Sequence, residues 1–143
     1  MTEKEFLLRY RKLTEQIRQY ELDIIKLEAE IEGLTPNNDG MPRGSSLSDP
    51  TARLAAKLAD LKADRLRAVD QAWNARNEIE QAISSIEDVV CSRLLFDRYV
   101  LCMTWREVSD DLQYDPHHVS RYLHKKALKQ VREKLHCFTP PSL

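Results

Sequence analysis

Residues 116–136 hold the densest chemistry of the chain. Arg121, Lys125, Lys126, Lys129, Arg132 and Lys134 stand against the single acid Glu133, and all four histidines, His117, His118, His124 and His136, lie among them. The other 122 residues carry 16 Lys and Arg against 22 acids, so a formal charge of −1 conceals a basic block on an acidic chain. Guanidinium, ammonium and imidazole groups at this density suit a polyanion, which makes the block the first candidate binding element. The cysteines Cys91, Cys102 and Cys137 share no Cys-x-x-Cys spacing and the histidines form no i, i+4 pair, so no metal site and no disulfide framework are expected. The cysteines read as buried small residues. There is no phosphate-cradling glycine loop, and no set of nucleophile, base and orienting group can be nominated, so neither an enzyme nor a cofactor is expected.

Local start and stop signals position the block. Asp115-Pro116 combines an N-cap with a first-turn proline and opens a helix running to about His136. Upstream, Thr104-Trp105-Arg106-Glu107 has the spacing of a capping box and opens a short helix with Val108 and Leu112, which stops near Gln113-Tyr114. Before that, Val90, Leu94, Leu95, Tyr99 and Leu101 make a short amphipathic helix ending ahead of Cys102 and Met103. A short helix, a tight turn and a longer basic helix form a helix-turn-helix, with Leu94, Leu95, Tyr99, Val108, Leu112, Val119 and Leu123 as its core and Trp105 buried beside them.

With Val119 toward the core, ideal helical geometry turns His117, Arg121, His124 and Lys125 outward, with His118 and Lys129 on one flank and Ser120 on the other. The expected base-reading set is therefore His117, His118, Ser120, Arg121 and His124, with Arg121 best suited to a bidentate contact with guanine in double-stranded DNA. Lys125, Lys126, Lys129 and Arg132, with Arg106 on the preceding helix, suit the phosphate backbone. The apolar series Val119, Leu123, Ala127, Val131 and Leu135 repeats every four residues and drifts against a period of 3.6. Either a π-bulge within 120–127 or a shifted start at Asp115-Pro116 would absorb the drift.

At 42% hydrophobic and 31% charged, the composition fits a globular or coiled-coil chain. No apolar run approaches the ~18 residues a membrane span needs. The first ten residues lack the apolar core of a secretory signal, so a cytoplasmic location away from membranes is expected. All three glycines and three of the six prolines fall between Gly33 and Pro50, marking a linker. On its near side Phe6, Tyr10, Leu13, Ile17, Tyr20, Ile24, Leu27, Ile31 and Leu34 recur at intervals of four and three. On its far side Leu54, Leu58, Leu61, Arg65, Ala68, Ala72, Ala75, Ile79, Ala82, Ile86 and Val89 do the same. Bulky residues facing small ones predict an all-α protein built on a long antiparallel helical hairpin, a coiled coil, followed by the three-helix module. The expected divisions are a first helix over 1–34, a flexible linker over 35–49, a second helix over 50–87, the module over 88–137 and a disordered tail over 138–143. Leu22, Ile25, Leu66, Val69 and Trp73 lie off both seams and suggest self-association, as a homodimer or a higher bundle, with packing on the C-terminal module of the same chain as the alternative.

The run Arg98-Tyr99, Met103 to Leu112, Val119 and Ala127-Leu128 resembles the fourth conserved region of bacterial sigma factors, over roughly residues 86–135. The whole layout is similar to small sigma-like transcriptional regulators of phages and prophages. Two departures are a Gln113 where the turn's glycine usually sits and one extra residue between Val119 and Ala127. The resemblance implies sequence-specific binding of promoter DNA, activation of phage or prophage genes, and RNA polymerase as a further partner. A full sigma factor is not expected, because the chain has no room for the separate domain that opens the −10 element. Two other classes remain open: a DNA-packaging adaptor of the small terminase kind, and a protein-interaction module in which the hairpin captures a partner.

Overall fold

The computed structural model describes residues 1–34 and 49–138. Residues 35–48 of the linker expected over 35–49, the tail beyond 138 and the side chain of Cys137 lie outside the described residues, and Asp49 opens α2 instead. The fold is all-α: a long antiparallel pair, α1 (Glu3–Leu34) and α2 (Asp49–Ser84), is followed by shorter helices, and the described residues contain no strand. These are α3 (Val89–Leu95), α4 (Trp105–Leu112), α5 (Pro116–His118) and α6 (His124–Phe138). A π-helical turn, Phe96–Val100, continues α3, and a second, Val119–Leu123, joins α5 to α6 into one basic helix.

The chain divides into two compact units, one formed by Thr14–Asp70 and the other by Met1–Leu13 with everything from Gln71 onward. In the first unit the 4-3 seams meet as the spacing predicts: Ile24, Leu27 and Ala68 are buried, while Ile17, Tyr20, Ile31, Leu54, Leu58, Leu61 and Arg65 are half-buried. Lys62 reaches Glu28 across the pair at 3.5 Å. Leu22, Ile25 and Leu66 are exposed, the last at 64%, so no described residue covers them.

In the second unit α1 begins on a reciprocal capping box. The Thr2 N–H donates to Glu5 Oε2 at 3.0 Å and the Glu5 N–H to Thr2 Oγ1 at 3.2 Å. Phe6 and Leu7 then join Ile79, Ala82, Ile83 and Ile86 in a single core with Leu94, Leu95, Tyr99, Val108, Val119, Leu123, Ala127 and Val131. The helix-turn-helix therefore does not stand as a separate block over 88–137. Three short helices have too little apolar face to close a core, and the first turns of α1 and the last of α2 complete it.

Several expected boundaries shift. Helix α2 runs Asp49–Ser84 rather than 50–87: the Ser84 and Ser85 hydroxyls turn back onto Gln81 and Ala82 carbonyls at 3.0 and 2.6 Å, and the chain breaks before Asp88 caps α3. Of the seam residues, Leu34 and Val89 are exposed: Leu34 ends α1, and Val89 opens α3 after the seam helix α2 has stopped at Ser84. Cys91 is buried as expected, and burial pushes its thiol up to about 11, whereas Cys102 is only half-buried in a left-handed turn with φ 57°.

Candidate nucleic-acid interface

The turn that aims the basic helix follows from three side chains. Thr104 caps α4 by accepting from the Glu107 N–H at 3.2 Å. Gln113 ends α4 in the left-handed conformation, φ 61° and ψ 41°, and its N–H closes on the Ser109 carbonyl. A side chain in that region carries a steric cost that glycine would avoid. Asp115 then caps the next helix by accepting from the His118 N–H at 3.4 Å, and Pro116 occupies the first turn.

The π turn decides which side chains of the basic helix face outward. The His124 N–H bonds the Val119 carbonyl five residues back, so the drift in the apolar series is absorbed between Val119 and Leu123, and both remain buried. In an unbroken α-helix His124 would point roughly 140° away from Val119; one extra residue in the turn brings it within roughly 50°. His124 is accordingly a core residue, 9% exposed, and the expectation that it reads bases is overturned. Its Nε2 shares a 2.6 Å hydrogen bond with the buried Tyr99 hydroxyl, and the half-buried Trp105 packs edge-on against its ring at 4.6 Å. Burial, helped by the charges of Lys4 and Arg98, pushes its pKa down to about 4, so the ring is neutral at physiological pH. Arg98 lies over the Trp105 ring at 4.5 Å and donates to the Met103 carbonyl at 2.8 Å, fixing the entry to α4.

Arg121 stays outward in either geometry, and the structure leaves it exposed with His117, His118 and Lys125; Ser120 is half-buried on the covered flank. Tyr122, for which the charge pattern of the block carries no expectation, is turned out to 63% exposure on the flank of His118. The signal available for it was the four-residue spacing Tyr114, His118, Tyr122.

The phosphate candidates divide in two. Arg106, Lys125 and Lys129 are exposed and, among the described residues, make no ion pair. Lys126 instead reaches Asp88 at 3.3 Å, the same carboxylate that caps α3 by accepting from the Val90 and Cys91 N–H groups. Arg132 pairs with Glu3 at 2.7 Å. Both pairs tie α6 to neighbouring elements and lower the acids' pKa through those hydrogen bonds and charges, with the capping N–H groups the larger cause at Asp88. On the far side of α4, Arg93 clasps Asp111 with two bonds of 2.8 and 2.9 Å. Beside it Asp97 is buried with its Oδ2 unpartnered, and burial first, then Asp111, pushes its carboxyl above the ordinary range.

Among the described residues no group of three or more His, Cys, Asp or Glu is placed to hold a metal ion. Among them, no helix is long and apolar enough to cross a membrane. No family model, no curated protein and no solved structure matches this chain.

Proposed function

We propose that this chain is a sequence-specific DNA-binding transcription regulator that lays the helix over 116–138 in a major groove and uses its hairpin to form a homodimer. One observation carries the reading. Directly after a tight turn, the basic helix buries Val119, Leu123, Ala127 and Val131 and turns outward His117, His118, Arg121, Lys125 and Lys129. Such a helix offers its N-terminal outward side chains to base edges and its cations to phosphates. Arg121 is the base-reading residue and Arg106, Lys125 and Lys129 are the backbone contacts, while His124 positions the helix by holding Tyr99 and Trp105 beneath it. The likeness to the fourth region of sigma factors supports promoter DNA as the target, phage or prophage genes as those activated, and RNA polymerase as a further partner. The exposed Leu22, Ile25 and Leu66 support self-association.

The test is selection of bound duplexes from a random library by the full-length protein, followed by titration at several salt concentrations. Three phosphate contacts per chain, six in the homodimer, correspond to a slope of log K against log salt of about −5.4, and release of Lys126 and Arg132 to DNA in both chains would steepen it to about −9. Failure to enrich any sequence, or a slope near zero, would contradict the reading.

A further inference from the structure

Tyr114, His118 and Tyr122 form one ladder along the turn and the exposed flank of the basic helix. The Tyr114 and His118 rings are 5.8 Å apart between centroids, and those of His118 and Tyr122 are 5.2 Å apart with planes 17° from parallel. All three residues are exposed. Asp115 caps the backbone N–H of His118, and Tyr122 lies within the π turn. Two tyrosines in water forgo a large apolar burial, and no other described residue covers them.

Their neighbours say what kind of partner fits. Arg121 and Lys125 are exposed on the same helix, and the nearest acid in sequence, Asp115, is engaged by the cap. The surroundings therefore favour a polyanion, while the ladder itself needs an apolar group on that polyanion. In the major groove of duplex DNA that group is the C5-methyl of thymine, and the groove side of no other base carries one. We propose that the ladder, with Tyr122 at its centre of contact, is a thymine-methyl-reading edge beside the guanine-reading Arg121. His118 and Tyr122 lie nearly parallel against each other, so ring edges face outward. A methyl projecting into the groove meets such edges without disturbing the ladder, whereas intercalation between base pairs would have to break it. The inference rests on the DNA-binding reading above and adds which bases the second contact selects.

The experiment uses the full-length protein and a duplex enriched from a random library, compared with the same duplex carrying deoxyuridine in place of thymine. That change removes only the methyl groups and keeps base pairing. The intact protein should bind the deoxyuridine duplex more weakly by about fourfold for each methyl contacted, the worth of one buried CH2 group. Tyr122→Ala should lose a comparable factor on the thymine duplex and show no further loss on deoxyuridine, while Tyr122→Phe should keep the discrimination. Tyr122 is largely exposed, so unchanged helicity and melting of both variants are expected. Enriched sequences without thymine, equal affinity of the intact protein for both duplexes, or full discrimination by Tyr122→Ala would each overturn the inference while leaving DNA binding intact. Failure to enrich any duplex would remove the DNA-binding reading and the ladder's role with it.

Discussion

Acidification should loosen this fold through His124. The imidazole is buried, bonded to Tyr99 at 2.6 Å and packed under Trp105, and its pKa is pushed down to about 4. An unfolded histidine titrates near 6.5, so the unfolded chain takes up a proton across that window before the folded one does. The folded state favours the neutral ring: its contribution is complete above about pH 6.5 and is lost as the pH falls toward 4. At about 1.4 kcal/mol per unit of separation, the window holds at most about 3.5 kcal/mol, and about 2 kcal/mol after allowing for residual solvent access. Asp97 works the other way, because its raised carboxyl keeps a proton in the folded state that the unfolded chain has released. The wild-type curve alone therefore mixes two slopes of opposite sign. Urea melts of the wild type and His124→Gln at pH 7, 6, 5 and 4.5 separate them, since Asp97 titrates in both. The stability advantage of the wild type should shrink by about 2 kcal/mol from pH 7 to 4.5. A gap that stays constant across that range would refute the burial of a neutral His124.

Gln113→Gly should raise stability by up to about 1 kcal/mol in the same melts, because the left-handed cost outweighs the added freedom of the unfolded chain; a loss would place the strain elsewhere. Leu94→Ala, at a fully buried site, should cost about 2 to 5 kcal/mol, and Leu112→Ala, half-buried, clearly less; the reverse order would contradict the packing of α3 against α4. Light scattering of the full chain should give twice 16.7 kDa, and Leu66→Glu should return it to the monomer mass. A ring of eight or more chains would instead favour a packaging adaptor, and a wild-type monomer would remove the dimer.

The long-range pattern of this protein was legible because it is periodic. The two 4-3 seams located the hairpin, and the caps at Thr104 and Asp115 located the turn, since each depends on residues three or four apart. The four-residue drift from Val119 to Val131 even marked where a π turn could sit, as one of two solutions. What the spacing could not settle was the rotation of the helix after that turn. Backbone hydrogen bonding around Val119 and packing on Tyr99 and Trp105 settle it, and those partners are distant in sequence. That single residue of π geometry moved His124 from the outward face into the core and exposed Tyr122 in its place. The ion pairs of Lys126 with Asp88 and Arg132 with Glu3 were invisible for the same reason: charge counting sees a basic block, while only the fold brings an acid to two of its members.

The central claim is that Arg121 reads sequence while its neighbours hold phosphate, and one comparison tests it most directly. Affinity of wild type, Arg121→Ala and Lys129→Ala is measured by fluorescence anisotropy on an enriched duplex and on a shuffled one. Arg121→Ala should weaken binding to the enriched duplex by roughly 5- to 150-fold and leave the shuffled duplex nearly unchanged, as the loss of a bidentate base contact requires. Lys129→Ala should weaken both duplexes alike and flatten the salt slope by about two counterions, one from each chain of the homodimer. Equal losses on both duplexes from Arg121→Ala, or no preference of the intact protein for either, would contradict the account.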